Sequence, residues 1–226
     1  MQRRQFVKIA VSGTVGAFVA PGKIKAHTCS KREKDGVPER LKVENCFAAI
    51  IDVQPDFLSQ LQEGHRSAIL KKLQDFAHLL SFFRIPTVVT LEKPVNENGL
   101  LPKEITEKLR FASKVFEKIS FDVTMDEAIA KHIKGLGKRQ VLLAGCETDV
   151  CILQSCLGFL GLGYDVFLIE DLLFTSSLNV NAALTRMGAE GAVLISYKSM
   201  FYELARNVDR SGAFDESPPS LHDGFE

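Results

Sequence analysis

The chain of 226 residues lacks an excess of charge of either sign, because 28 Lys and Arg residues balance 28 Asp and Glu residues. Five of the basic residues lie within residues 1–26, which contain no acidic residue, so the remainder carries a net charge of about −5. Proteins that bind nucleic acid need a basic surface, since contacts to phosphates dominate their affinity. The sequence therefore argues against a nucleic-acid partner.

Long apolar runs are also lacking. A helix that crosses a membrane needs about 20 consecutive apolar residues, and every apolar stretch here is shorter or interrupted. The composition, 46% hydrophobic and 25% charged, is that of a globular domain with a full core. We expect one domain of a size common among enzymes. We expect no contact with a membrane once the N-terminal residues 1–26 are removed.

Residues 1–26 have the layout of a signal peptide: a basic head, a mildly apolar middle and a small residue, Ala26, where a peptidase could cut. "RRQFVK" (3–8) resembles the twin-arginine export signal, which implies export in the folded state to the periplasm. The alternative is a chance basic start on a cytoplasmic protein. We expect a polar linker over 27–44, the domain over 45–207 and a flexible acidic tail over 208–226.

Apolar, β-branched runs alternate with amphipathic stretches through the domain, a pattern typical of an α/β fold with a parallel sheet and crossover helices. The amphipathic stretch 66–84 predicts a helix that packs one face on the sheet. About six strands are predicted, over 46–53, 85–92, 114–118, 140–146, 164–172 and 192–196.

Three chemically active side chains follow predicted strands. Ligands of open parallel sheets bind beyond the carboxyl ends of the strands, and Asp52, Lys118 and Cys151 fall there. Cys151 is predicted in the first turn of a helix that begins near Thr148, where the helix dipole lowers the pKa of a thiol. Lys118 would favour the thiolate further, and Asp52 could take the thiol proton.

The other cysteines are interpreted as structural. Cys46 and Cys156 are predicted to pack in the core, and Cys146 to contribute its backbone at a strand end. Cys29 lies in the linker and is free or paired, for example with Cys46. The five histidines are scattered, and no strand end presents one for a Cys–His pair.

Three segments resemble the signature segments of the isochorismatase-like cysteine hydrolases: "AAIIDVQPDFL" (48–58), "FEKISFDVT" (116–124) and "LLAGCETDVCILQSCLGFLGLGYDVFLIED" (142–171). The similarity extends over about residues 45–207. It implies a three-layer α/β/α sandwich, with a doubly wound parallel sheet of six strands. It also implies a catalytic triad of Asp52, Lys118 and Cys151.

The resemblance implies further features of the site. A cis peptide bond is expected between Cys146 and Glu147, and the backbone N–H groups of Glu147 and Cys151 are expected to form an oxyanion hole. Gln54 and Phe57 match a motif that lines the substrate pocket. Nicotinamidases of this family bind a metal through histidines after the second strand, but "TLEKPVNENGLLP" (90–102) has none. Neither a metal nor another cofactor is therefore expected.

These observations predict a cysteine hydrolase that cleaves an amide or carbamoyl C–N bond of a small molecule. Two alternatives stay open: cleavage of a vinyl ether, as isochorismatases perform, and a non-catalytic relative that binds a small molecule. By analogy with the family, a homo-oligomer is expected.

Overall fold

The computed structural model describes residues 40–206, and the predicted signal peptide and acidic tail lie outside this range. Six parallel strands form one sheet in the order β3-β2-β1-β4-β5-β6. The strands are β1 (Cys46–Ile51), β2 (Thr87–Glu92), β3 (Ser113–Lys118), β4 (Gln140–Gly145), β5 (Asp165–Leu173) and β6 (Val193–Ile195). The predicted doubly wound sheet of six strands is confirmed.

In the described part of the chain, eight α-helices connect and cover the strands. They are α1 (Pro55–Ser59), α2 (Glu63–Phe82), α3 (Val95–Asn98), α4 (Lys103–Thr106), α5 (Glu127–Gly135), α6 (Leu153–Gly161), α7 (Asn181–Ala189) and α8 (Tyr197–Ala205). A single π-helical turn, Thr148–Ile152, leads directly into α6, and short 3-10 helices span Val43–Asn45 and Val123–Met125. Among residues 40–206, no helix is long and apolar enough to cross a membrane.

The centre of the sheet is buried on both faces, which explains why β1 and β4 are continuous apolar runs. Every residue of β1 and of β4 is buried. Alternate residues of β1 enter two separate cores: Ala48 and Ile50 face the core under α2 and α8, whereas Phe47 and Ala49 face the core under α5, α6 and α7. The two cores define the three-layer sandwich that was predicted.

The chain order creates a crevice beside β1. After β1 the chain adds β2 and β3 on one side and then returns to add β4 on the other. The connections that leave β1 and β4 at their carboxyl ends therefore diverge, and ligands of doubly wound sheets bind at such a switch point. Asp52 follows β1, and Cys146 follows β4, at this place.

The last residues of the predicted linker 27–44 pack against the domain. Leu41 is fully buried. Its backbone N–H donates to Glu203 in α8, and the N–H of Lys42 donates to Gln140 at the start of β4. The polar composition of the linker did not indicate this attachment, because it depends on one buried leucine and on backbone hydrogen bonds.

Candidate active site

The structure brings the three predicted side chains together. The ammonium Nζ of Lys118 lies 2.6 Å from Oδ2 of Asp52 and 3.6 Å from Sγ of Cys151. All three residues are nearly closed to solvent, with exposures of 1% for Asp52 and Lys118 and 3% for Cys151. A carboxylate, an ammonium and a thiol thus share one buried space at the carboxyl end of the sheet.

Lys118 reaches this space because of its place in β3. The strand lies at the edge of the sheet, where residues before Lys118 are mostly exposed, but Lys118 pairs in register with Glu92 at the end of β2. Burial alone would lower the pKa of the ammonium. The attraction of Asp52, Cys151 and Glu92 outweighs burial and raises the pKa of Lys118, so the side chain is held as a cation.

Asp52 is fixed by its neighbours on both strands. Its Oδ1 accepts a hydrogen bond from Oγ1 of Thr90 at 2.8 Å, while Oδ2 faces Lys118. Its backbone has a left-handed conformation with φ of 51°, which aspartate tolerates better than most side chains. The thiol of Cys146 donates to the backbone carbonyl of Asp52 at 3.0 Å. These contacts hold the carboxylate against the ammonium.

A second carboxylate, which the sequence analysis missed, completes the cluster. Oε2 of Glu92 lies 3.3 Å from Sγ of Cys151, which donates to it, and 3.6 Å from Nζ of Lys118. Glu92 ends β2, so the rule that identified Asp52 at the end of β1 also applied to it. We call Asp52, Glu92, Lys118 and Cys151 the acid–lysine–cysteine cluster.

The expectation that Cys151 ionises easily is wrong for this structure. Burial is the largest cause that raises the pKa of the thiol above its ordinary value, and Asp52 and Glu92 raise it further. Lys118 lowers the pKa but does not compensate for them. The sequence indicated a helix start and a nearby lysine, but it did not show that two carboxylates surround the sulfur. The cysteine therefore rests as a thiol that donates to Glu92.

Cys151 lies in the π-helical turn Thr148–Ile152, so the predicted helix start near Thr148 is correct but its first turn is wider than an α-helical one. Such turns occur often at functional sites. The peptide bond between Cys146 and Glu147 is cis, as the resemblance implied. The role of the N–H groups of Glu147 and Cys151 as an oxyanion hole stays a prediction.

Two acidic side chains beside Cys151, Glu147 and Asp149, accept hydrogen bonds from the loop after β5. Glu147 accepts hydrogen bonds from the backbone and hydroxyl groups of Ser176. Asp149 accepts from the hydroxyl groups of Thr175 and Ser177, which lower the pKa of its carboxyl group although burial opposes them. This loop therefore holds the backbone that carries the sulfur.

Of the two residues predicted to line the pocket, Gln54 contacts the backbone of Glu92 and Phe57 packs against the core. The buried amide of Gln54 donates to the backbone carbonyls of Glu92 and Gly99 and accepts from the N–H of Glu92 at 2.7 Å. Phe57 is partly buried and packs against the core under α2. Gln54 thus positions Glu92, and the predicted contacts of both residues with a substrate stay predictions.

The cluster contains donor groups of the kind that bind metals. Ligand atoms of Asp52, Glu92 and Cys151 lie within 4.8 Å of one another. However, the ammonium of Lys118 contacts all three groups and balances part of their negative charge. A metal ion would have to displace this ammonium, so the donor set fits the lysine better than it fits a metal.

Comparison with known proteins identifies the class. The family model described as the isochorismatase domain matches residues 48–199, and the chain belongs to the isochorismatase family. Its relatives include the secreted isochorismatase effector Isc1 of Phytophthora sojae, which is 36% identical over 128 residues. That alignment covers 55% of this chain and 60% of the effector.

Solved structures of YcaC have the same fold. YcaC from Pseudomonas aeruginosa, solved with hexane-2,5-diol and covalent acrylamide, is 30% identical with a TM-score of 0.71, and the match covers 76% of this chain and 85% of that one. YcaC from Escherichia coli, described as an octameric hydrolase of unknown specificity, is 25% identical with a TM-score of 0.69 and the same coverage.

Proposed function

We propose that the chain is a hydrolase that cleaves an amide or carbamoyl C–N bond of a small molecule, with Cys151 as nucleophile. The observation that carries the proposal is the position of Lys118 between Asp52 and Cys151 in a space nearly closed to solvent. Placing a lysine there costs desolvation energy that core packing does not require. The arrangement supplies a nucleophile, an acid–base group and a cation for the developing charge.

The proposed reaction begins when the thiol of Cys151 turns its proton from Glu92 to Asp52, whose carboxylate lies within 4.8 Å of the sulfur. Sγ then attacks the carbonyl carbon as this proton passes to the carboxylate of Asp52. The carbonyl electron pair moves to oxygen, where the N–H groups of Glu147 and Cys151 would stabilise it. The C–N bond then breaks, and the proton moves from Asp52 to the departing nitrogen. Water attacks the resulting thioester, Asp52 takes a proton from it, and the sulfur regains a proton as the C–S bond breaks.

The raised pKa of the Cys151 thiol is compatible with this order of events. Proton transfer that accompanies attack avoids a free thiolate beside two carboxylates, where burial and charge make it unfavourable. Lys118 keeps its charge throughout, because its pKa is raised by the surrounding groups despite burial. We therefore expect substrate binding, rather than the resting site, to activate the sulfur.

The test is a screen of small amides and carbamoyl compounds with the chain and its Cys151→Ala variant. A substrate should be hydrolysed by the former alone, and mass spectrometry of the quenched reaction should detect an acyl group on Cys151. Cys156→Ala is the matched control, since Cys156 is buried in α6 on the same helical segment. Equal turnover by the chain and Cys151→Ala would contradict the mechanism.

Acrylamide offers a second, substrate-independent test. The comparison with P. aeruginosa YcaC concerns a protein solved with covalent acrylamide, and a cysteine nucleophile adds to the alkene carbon of this small amide. We expect acrylamide to add one molecule at Cys151. Absence of the adduct, or its equal formation in Cys151→Ala, would count against the nucleophile.

We also propose that the chain forms a homo-oligomer. E. coli YcaC is described as octameric, and several large apolar side chains are exposed here near the end of β3. Ile119 is 79% exposed, Met125 74% and Phe121 53%. Light scattering should give the mass of an assembly, and Ile119→Asp should lower it if this surface is buried between copies.

Finally, we propose export through the segment 1–26. One relative is a secreted effector, and the paired arginines Arg3 and Arg4 are the basis of the proposal. Fractionation of a bacterial host should find the chain in the periplasm. Replacing both arginines with lysine should retain it in the cytoplasm, and unchanged export would contradict the twin-arginine route.

A further inference from the structure

Glu92 differs from the rest of the acid–lysine–cysteine cluster in its access to solvent. Its side chain is 21% exposed, whereas the side chains of Lys118 and Asp52 are 0% and 1% exposed. Oε2 of Glu92 nevertheless lies 3.3 Å from Sγ of Cys151. A molecule that approaches the sulfur from solvent therefore meets this carboxylate beside the reacting atom.

The structure holds Glu92 in this position through its backbone. Gln54 binds both its N–H and its carbonyl, at 2.7 and 3.1 Å. The side chain of Asn98 donates to the same carbonyl at 3.0 Å. The neighbouring cation, Lys93, pairs instead with Glu117 at 3.4 Å, and both of those side chains are about half exposed. Three polar contacts thus fix the residue that presents its carboxylate to the sulfur.

The charge of the cluster that an approaching substrate meets is negative, before the sulfur bonds to carbon. Two carboxylates and one ammonium give a net charge of −1 when Cys151 is a thiol, and moving the thiol proton to a carboxylate leaves this sum unchanged. The carboxylate of Glu147, four residues before Cys151, acts in the same direction on the neighbouring thiol of Cys146, whose pKa it raises after burial, Asp52 and Cys151. A negative potential of this kind repels anions from a cleft and attracts cations.

We infer that Glu92 makes the site select substrates that are neutral or positively charged beside the cleaved bond, and reject anions. The inference rests on the proposed function for the identity of the reacting sulfur, and it deepens that proposal by naming the substrate class. Amides and carbamoyl compounds that release ammonia or an amine meet the condition. A dicarboxylate such as isochorismate does not.

Two thiol reagents of similar size test the selection without turnover. The 2-aminoethyl and 2-sulfonatoethyl methanethiosulfonates carry opposite charges. In each case the cysteine sulfur forms a disulfide with the alkylthio group, methanesulfinate leaves, and the thiol proton goes to solvent. Mass spectrometry measures the rate at which each reagent modifies Cys151. Each rate is divided by the rate of the same reagent with mercaptoethanol, and the quotient for the cationic reagent over that for the anionic reagent is the normalised cation-to-anion ratio. We expect a ratio of about ten or more, equivalent to about 1.4 kcal/mol.

Glu92→Gln should bring this ratio close to one, mainly by accelerating the anionic reagent, and Glu92→Asp should keep most of it. Glu117→Gln is the matched control, because it also removes one carboxylate near a strand end, but that carboxylate pairs with Lys93. The ratio should not change in this variant. A ratio near one in the unaltered chain overturns the inference without any variant, as does an unchanged ratio in Glu92→Gln. Because neither rate requires hydrolysis, a chain that turns over no amide still tests the selection.

Discussion

Replacing Lys118 with methionine removes the cation of the cluster while keeping a side chain of similar length. At an effective dielectric constant of about 20, the attraction between unit charges is about 6 kcal/mol at the 2.6 Å that separates Lys118 from Asp52. The desolvation of both groups offsets much of this energy in the native protein. Removing one partner of a buried pair nevertheless costs about 3–5 kcal/mol, because a buried charge is left uncompensated.

We therefore expect Lys118→Met to lower the free energy of unfolding by about 3–5 kcal/mol, a large share of the 5–15 kcal/mol typical of a domain. Urea denaturation measures this change. With a slope of about 2 kcal/mol per molar, the midpoint should fall by about 1.5–2.5 M. Lys93→Met is the control, because Lys93 is 50% exposed and its pair with Glu117 should contribute at most about 1 kcal/mol.

The pH dependence of this difference follows from the pKa of Lys118, which is raised in the folded chain. Its contribution is fully present below the ordinary lysine pKa of about 10.4 and is lost only as the pH rises through the higher folded value. The gap between the two proteins should therefore be constant from about pH 7 to 9. A Lys118→Met variant as stable as Lys93→Met would refute the description of the cluster as a compensated buried ion group.

Three further predictions concern the sulfur and its support. Alkylation of Cys151 by iodoacetamide should be slow at pH 7 and should still be accelerating at pH 9, since burial and two carboxylates raise the thiol pKa; a plateau below pH 8 would contradict this. Gly145→Ala should destabilise the chain far more than Gly191→Ala in thermal melts. Both glycines have a positive φ, but only at Gly145 would the added methyl group collide with the carbonyl of Ile51. Ser155→Ala should lower the free energy of unfolding by about 1–3 kcal/mol in urea denaturation, because two backbone groups would lose the buried hydroxyl as their hydrogen-bond partner. A smaller decrease would show that water replaces the hydroxyl.

Much of the fold was predictable because the central strands of the sheet are buried on both faces. A strand that is covered by helices on both faces is apolar throughout, so β1 and β4 stand out in the sequence as continuous apolar runs. The polar residues that interrupt such runs then mark the carboxyl ends of strands. Asp52, Lys118 and Cys151 were identified in this way, aided by the family resemblance, and the structure brings them together.

The chemistry of the site was less predictable, since it depends on distances between distant segments. Glu92 ends β2, just as Asp52 follows β1, but only the folded sheet shows that its carboxylate contacts the sulfur. Burial of the sulfur, together with Asp52 and Glu92, reverses the expected shift of the thiol pKa. The sequence also did not indicate that the amide of Gln54 holds the backbone of Glu92, and the prediction that Gln54 lines the pocket stays a prediction. In each case a partner from another strand decides the role.

Lys118 belongs to the strand at the border of the sheet, which within residues 40–206 has a hydrogen-bonded neighbour on one side alone. Border strands open more readily than central ones, so β3 can detach while β1 and β4 remain intact. Detachment would carry the ammonium away and leave two carboxylates facing a thiol. Loss of the proposed hydrolase activity should therefore precede loss of the core during gradual denaturation. Amide hydrogen exchange should also be faster in Ser113–Lys118 than in Cys46–Ile51.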